Sequence, residues 1–266
     1  MTTKIIEIKK PKLKDPIFIS GLPGIGNVGR IAAGYLVEEL KAEKFAELYS
    51  SHFMPFVLLQ QDNTIRILKI EFFYHKAKSK NQRDLIILIG DSQSIDPEGH
   101  YEIVNEILSY VKKFGVKEII TLAGLSVGEM TQEPKVVGAA SSEYMIKKYK
   151  NCGVDFKSTN KIGTIVGASG LFIGLGKYYN MEGICLLGET IGFPIIPDPK
   201  SAGSVLKVLE KILKIKIDLS RLDKKVKEME DFIKKVEDVQ KKAIMEMIKS
   251  QAPAPEKDKE KLSYIG

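Results

Sequence analysis

Ile17-Phe18-Ile19-Ser20-Gly21-Leu22-Pro23-Gly24-Ile25-Gly26-Asn27-Val28-Gly29-Arg30 decides how this chain folds. An apolar run leads in, glycines and a proline turn the chain, and Ile31, Ala32, Tyr35, Leu36 and Leu40 then recur at helical spacing. The pattern predicts a buried strand, a tight turn and a helix running to about Lys41. Gly24, Gly26 and Gly29 also satisfy the dinucleotide fingerprint G-x-G-x-x-G in its proper context.

Two readings of that turn compete. A nucleotide site needs a pyrophosphate on the helix N-terminus and an acid about 20 residues later for the ribose. Glu43 and Glu47 lie near that distance. Against it, Pro23 removes one N–H that could hold phosphate, and no Lys-Ser/Thr pair follows the glycines. The structural reading has the glycines permit a sharp turn and close helix–strand contact. The structural reading is the one favoured here.

The rest of the chain reads as alternating strands and helices. Lys4 to Lys9 and Phe45 to Tyr49 are candidate strands. Phe56 to Gln60 and Ile65 to Phe72 flank Asp62-Asn63 and predict a hairpin. Asp84 to Gly90 is the continuous apolar run of a strand covered on both faces. Asp96 and Pro97 open a helix as N-cap and first residue. Its apolar face is Ile103, Val104, Ile107, Leu108 and Val111, and Phe114-Gly115 stops it. Glu118 to Gly124 is the next central strand, joined by a right-handed parallel crossover. Strands at 136–140, 163–166 and 183–188, and helices at 142–150, 167–179 and 201–213, complete the body.

From Asp218 the character changes. Leu219, Leu222, Val226, Met229, Ile233, Val236, Gln240, Ala243 and Met247 are spaced alternately three and four apart, which is a heptad seam. Ser220 with Asp223 resembles a capping box at its start. Pro253 and Pro255 end the helix. Alternating charges over 256–261 predict a solvated tail, yet the chain finishes Leu262-Ser263-Tyr264-Ile265-Gly266. Apolar and aromatic residues at such a tip suit a docking motif.

Composition narrows the function classes. The 266 residues are 44% hydrophobic with a net charge of +7. The basic excess is spread thinly, whereas a nucleic-acid groove concentrates it; no nucleic-acid partner is expected. No apolar run reaches the roughly 18 residues of a membrane span, and the opening residues do not read as a signal peptide. A cytoplasmic protein is the expectation. Cys152 and Cys185 form no C-x-x-C pair, so neither zinc nor a disulfide framework is expected. Catalytic signatures are scarce. Ser169 in Gly167-Ala168-Ser169-Gly170 misses the nucleophile elbow, and His52, His75 and His100 sit in no metal motif. Asp91, Glu129 and Glu189 follow central strands, where ligands of open α/β sheets sit. They are the carboxylates an enzyme reading would use.

Ser20-Gly21-Leu22-Pro23-Gly24-Ile25-Gly26-Asn27-Val28-Gly29 closely resembles the opening motif of the archaeal proteasome assembly chaperone family. The order that follows is similar too: a hairpin, Leu85–Gly90 with Asp91-Ser92-Gln93, Thr121-Leu122-Ala123-Gly124, Gly167-Ala168-Ser169-Gly170-Leu171 and Gly188-Glu189-Thr190. Together these cover about Lys4 to Leu213. The resemblance implies an α/β fold similar to nucleoside phosphorylases, no catalysis, and homo-oligomers. Some members carry an ATP-grasp carboxylate–amine ligase label, but no ATP-grasp signature stands here. Some archaeal members end in a hydrophobic–Tyr–any tripeptide that enters pockets between α-ring subunits. Here the last three residues are Tyr264-Ile265-Gly266, with the tyrosine one place earlier.

The expected architecture is therefore a phosphorylase-like, mixed, mainly parallel sheet flanked by helices over residues 1–217. A heptad helix over 218–250 and a flexible tail over 251–266 follow it. The expected function is a non-catalytic, assembly-chaperone-like homo-oligomer without cofactor or metal. Leu262, Tyr264, Ile265 and Gly266 would dock on the proteasome 20S core or its α subunits. Leu222, Val226, Met229, Ile233, Val236 and Gln240 would form the oligomer seam. The rival is a nucleotide-binding enzyme, ligase-like or phosphorylase-like, using Gly24, Gly26 and Gly29 with the strand-end carboxylates.

Overall fold

A computed structural model describes residues 3–128, 131–157, 163–192, 196–224 and 226. Among the described residues, the elements with both ends defined run in the order β1 (Lys4–Glu7), β2 (Ile17–Gly21), α1 (Val28–Glu39), β3 (Glu43–Tyr49), β4 (Val57–Leu59), β5 (Ile65–Ile67), β6 (Ile70–His75), β7 (Leu85–Gly90), α2 (Pro97–Lys112), β8 (Glu118–Ser126), β9 (Val136–Ala140), α3 (Glu143–Tyr149), α4 (Ala168–Gly176), β10 (Glu182–Thr190) and α5 (Pro199–Leu213). Eight strands form one sheet in the order β1-β3-β6-β7-β2-β8-β10-β9, and β4 with β5 forms a separate ribbon. At its centre β7, β2, β8 and β10 run parallel. Antiparallel strands flank them, β6, β3 and β1 on one side and β9 on the other. The sheet is thus mixed around a parallel centre, as expected.

The apolar runs explain the layers. Successive strand residues point to opposite faces. Ile17 and Ile19 of β2 and Leu85, Ile87 and Ile89 of β7 enter one core, packed under α1, α3 and α5. Phe18, Ile86 and Leu88 enter the other, under α2 and α4. Both cores are apolar, so neither strand alternates in sequence. The α2 cap is as expected: the Asp96 side chain accepts from the Gly99 N–H at 2.7 Å, with Pro97 in the first turn. Beyond its end Gly115 takes φ 82°. The crossover from β7 to β8 passes over β2, which lies between them.

Three local expectations change. The second arm of the hairpin is two strands: β5 pairs with β4, and β6 joins the main sheet. The break falls at Leu68-Lys69, where the Lys69 N–H donates to the Asp91 carboxylate at 3.1 Å and the Asp91 N–H to the Lys69 carbonyl at 3.0 Å. Residues 163–166 are loop, not strand; both edges of β10 are already paired. At residue 220 the cap is Asp218, whose Oδ1 accepts from the Ser220 N–H at 3.0 Å, in place of the Ser220–Asp223 box.

The start of the C-terminal helix is tied to the body. The Tyr35 hydroxyl donates to the Asp218 carbonyl at 2.5 Å, Arg221 lies over the Tyr35 ring, and its Nη2 donates to Glu39 at 3.0 Å. Leu222, first of the expected seam positions, is 1% exposed in the core beneath α5. The compact unit runs to Val226. Met229, Ile233, Val236 and Gln240 of the seam, and Leu262, Tyr264, Ile265 and Gly266 of the tail, lie outside the described residues.

Candidate functional site

The carboxyl ends of β2, β7, β8 and β10 gather the glycine turn, the loop after Gly90 and the start of α4. This is where an open α/β sheet holds its ligand. Here the turn is packed by the protein itself. A Cβ on Gly29 would lie 2.1 Å from the Leu122 carbonyl oxygen, so α1 rests backbone-to-backbone on β8. Gly26 takes φ 59°, and a Cβ there would meet Thr190 Oγ1 at 2.8 Å. Gly24 is different: it is extended and exposed, with Gln93 Nε2 nearest at 3.8 Å. Two of the three fingerprint glycines are therefore demanded by packing and backbone conformation.

Two amides of the turn are also engaged. The Asn27 N–H donates to the Gly24 carbonyl at 2.9 Å and the Val28 N–H to the Ile25 carbonyl. The Gly26 carbonyl accepts from the Asp198 N–H at 2.7 Å. Gln93 spans the platform. Its Nε2 donates to the Pro23 carbonyl at 2.6 Å, and its Oε1 accepts from the Ala168 N–H at 2.9 Å. The side-chain amide thus satisfies the first orphan N–H of α4. Arg30 turns inward, its Nε donating to the Gly90 carbonyl at 3.0 Å.

The strand-end carboxylates do not converge. Asp91 takes a two-point contact from Arg66, Nη1–Oδ2 at 2.5 Å and Nη2–Oδ1 at 3.0 Å. Burial pushes its pKa up, but the guanidinium and the Lys69 N–H outweigh it and hold the carboxyl below its ordinary range. Glu189 accepts from the Lys135 N–H at 3.0 Å. Glu129 lies outside the described residues. Glu43 and Glu47, the candidate ribose acids, sit on β3, separated from β2 by β6 and β7. Glu43 pairs with Lys9, and Glu47 with Lys44 and Lys69. Among the described residues no group of three or more His, Cys, Asp or Glu side chains could hold a metal ion.

The histidines serve structure. His52 lies between Asp96 at 2.9 Å and Glu102 at 3.4 Å, and the hydrogen bond to Asp96 raises its pKa. Burial lowers that of His75. His100 Nδ1 lies 2.9 Å from the Asp96 carbonyl.

Two hollows flank the turn. One, of ≈ 890 Å³, is lined by Asn27, Arg30, Tyr35, Glu38, Asp91 and Leu222 among others. The other, of ≈ 530 Å³, is walled largely by Leu22, Ile25, Leu125, Ile165 and Val166, with Gln93 and His100. Among the described residues, no serine or threonine hydroxyl lining either hollow is hydrogen-bonded to a histidine, as an activated nucleophile would be. Asp91-Ser92-Gln93 stands in the sequence as a polar strand exit, but its order alone does not reveal the bridge that Gln93 makes. A polar amide three residues beyond the end of β7 is the available signal. The Arg66–Asp91 pair gave none, because its partners lie 25 residues apart.

The PAC2 family model matches residues 18–237. Uncharacterized protein MJ1210 of Methanocaldococcus jannaschii is 38% identical over 266 residues, 100% of this chain and 97% of that one. Among solved structures, Pyrococcus furiosus PbaB, an archaeal proteasome activator, superposes with a TM-score of 0.84 at 45% identity, covering 89% of this chain and 99% of that one. Pyrococcus furiosus PbaA, an archaeal homolog of proteasome-assembly chaperone, superposes with a TM-score of 0.73 at 28% identity, covering 94% and 98%.

Proposed function

The chain belongs to the PAC2 family, and from that premise we propose that it is a non-catalytic protein that works by binding the proteasome. In this reading it is assembly-chaperone-like and homo-oligomeric, and it engages the 20S core or its α subunits through its C-terminal tail. The observation that carries the reading is the likeness to PbaB along nearly the whole of that chain. Because PbaB is an activator, the assembled core is the favoured partner.

The site geometry supports the non-catalytic part. Binding sites for small molecules present convergent, unspent polar groups. Here Gln93, Asp91, the Nε of Arg30 and the Asn27 and Val28 amides are engaged in holding the platform together. Asn27 Oδ1 is the buried polar atom in the first hollow with no protein partner; it is what a ligand-binding reading would build on. In the reading preferred here, the platform holds α1 and α5 in place. Val226, Met229, Ile233, Val236 and Gln240 pair copies of the chain, and Leu262, Tyr264, Ile265 and Gly266 dock.

A pull-down with archaeal α-ring subunits checks the tail, comparing the full chain with a version ending at Gln251. The full chain is expected to retain the subunits and the shortened one to lose them. Equal retention removes the tail from the mechanism.

A further inference from the structure

The β4–β5 ribbon carries an unusual surface. Val57 pairs with Ile67 and Leu59 with Ile65, which puts four aliphatic side chains on one face. They are 48%, 51%, 73% and 66% exposed respectively. Met54 and Phe56, at 49% and 53%, continue the surface at the base of the ribbon. There an open cleft of ≈ 350 Å³ is lined by Tyr49, Phe53, Met54, Phe56, Val57 and Ile67 among others. The opposite face is anchored: Leu58 is half-buried, and Arg66 is fastened to Asp91. The apolar face is therefore fixed in an outward orientation.

A two-stranded ribbon is marginal in water by itself, and six exposed large apolar side chains are more than solubility favours. Together they present roughly 600 Å² of surface, at the upper limit for a monomer's largest apolar patch. Doubled across two copies, with the surrounding rim, this reaches the roughly 1,200–2,000 Å² of a stable interface. Charge points the same way. From Met54 to Ile67 the charged residues are Asp62, at the turn, and Arg66, already paired. The matching surface must then be apolar and uncharged. The patch is self-complementary in shape: Leu59 and Ile65 project near the tip, and the cleft lies at the base. A two-fold axis across the ribbon lays each tip over the partner's base, which is an isologous contact.

We propose that the outward face of the β4–β5 ribbon is a homotypic interface, occupied by the same face of a second copy of this chain. The proposal rests on the homo-oligomeric reading above and adds the surface that makes the contact. Light scattering of the purified full chain, with Leu59→Asp/Ile65→Asp beside it, tests this. The wild type is expected to show a multiple of 29.7 kDa, and the variant a smaller multiple at the same concentration. The dissociation constant of the contact is expected to rise by at least about 100-fold.

Leu59→Thr/Ile65→Thr, which puts β-branched residues at both positions of the ribbon, serves if the charged variant does not fold; it is expected to shift the mass in the same direction. A folded variant with the wild-type mass overturns the ribbon interface and leaves the oligomer standing. A monomeric wild type at tens of micromolar, where interfaces of this size assemble, overturns both.

Discussion

Gly29→Ala is expected to destabilise the protein by at least about 3 kcal/mol, the upper range for overpacking a rigid site. The added methyl would sit 2.1 Å from the Leu122 carbonyl oxygen and 2.8 Å from the Leu122 carbonyl carbon. That neighbour is central-strand backbone, paired to β10 on one side and next to β2 on the other, so it cannot give way. Moving α1 instead would open the core at Ala32, Ala33 and Leu36, which are fully buried. Alanine is the better helix former, so any loss reports the clash and not helix propensity. Gly24→Ala is the internal control. With extended backbone and no neighbour nearer than 3.8 Å, it is expected to stay within about 0.5 kcal/mol, as exposed positions do. Urea midpoints at fixed pH measure both. A tolerated Gly29→Ala would mean that the close contact of α1 on β8 is not what the glycine is for.

Glu118→Ala is expected to cost about 3–5 kcal/mol, the range for removing one partner from a buried ionic cluster. Glu118 is 5% exposed at the start of β8. Its Oε2 accepts from Arg83 Nη1 at 2.5 Å and Lys148 Nζ at 2.6 Å, and its Oε1 accepts from the Tyr149 hydroxyl. The cluster ties α3 and the segment before β7 to the base of the sheet. Without the carboxylate, two cations face each other over a partly desolvated site.

The pH dependence follows. Burial pushes the Glu118 pKa up, but Lys148, Tyr149 and Arg83 more than offset this and leave it below the ordinary value. A depressed pKa contributes stability that is fully present above the unfolded value, near 4.3, and lost as pH falls through the folded value. The gap between wild type and Glu118→Ala is thus expected to be full at pH 7 and to shrink on acidification below about pH 4. Denaturant midpoints at the two pH values measure it. A gap that is unchanged, or that widens in acid, contradicts the assignment.

Much of the fold was legible because burial on two faces writes itself as continuous apolar runs. Ile17–Ile19, Leu85–Ile89 and Ile184–Leu187 could be nothing but central strands, and Asp96-Pro97 announced α2. The errors come from long-range pairing. Nothing local says that Ile65–Phe72 must break at Leu68. The break depends on Asp91, which binds both Arg66 and the Lys69 backbone. Residues 163–166 carry β-branched side chains, but β8 and β9 already flank β10. The cap at residue 220 moved to Asp218 because that residue also offers its carbonyl to Tyr35 on α1.

The candidate site shows the same limit. G-x-G-x-x-G is one pattern with two uses, a phosphate grip and a close helix–strand contact. What separates them is where Gly29 and Gly26 point, at Leu122 and Thr190, and the sequence cannot hold that. The alternation of Ile65 and Ile67 with Arg66 marked β5 as half-exposed, whereas Phe56 to Leu59 is a continuous apolar run. The sequence did not show that the body leaves the apolar face of β4–β5 uncovered.

Protein contact is the working principle proposed for this molecule. Co-sedimentation of the purified full chain with preassembled archaeal 20S core, without nucleotide, tests it most directly. The chain is expected to travel with the core particle at micromolar concentrations. A chain left wholly behind at the position of the free protein, under conditions where both are folded, would contradict it.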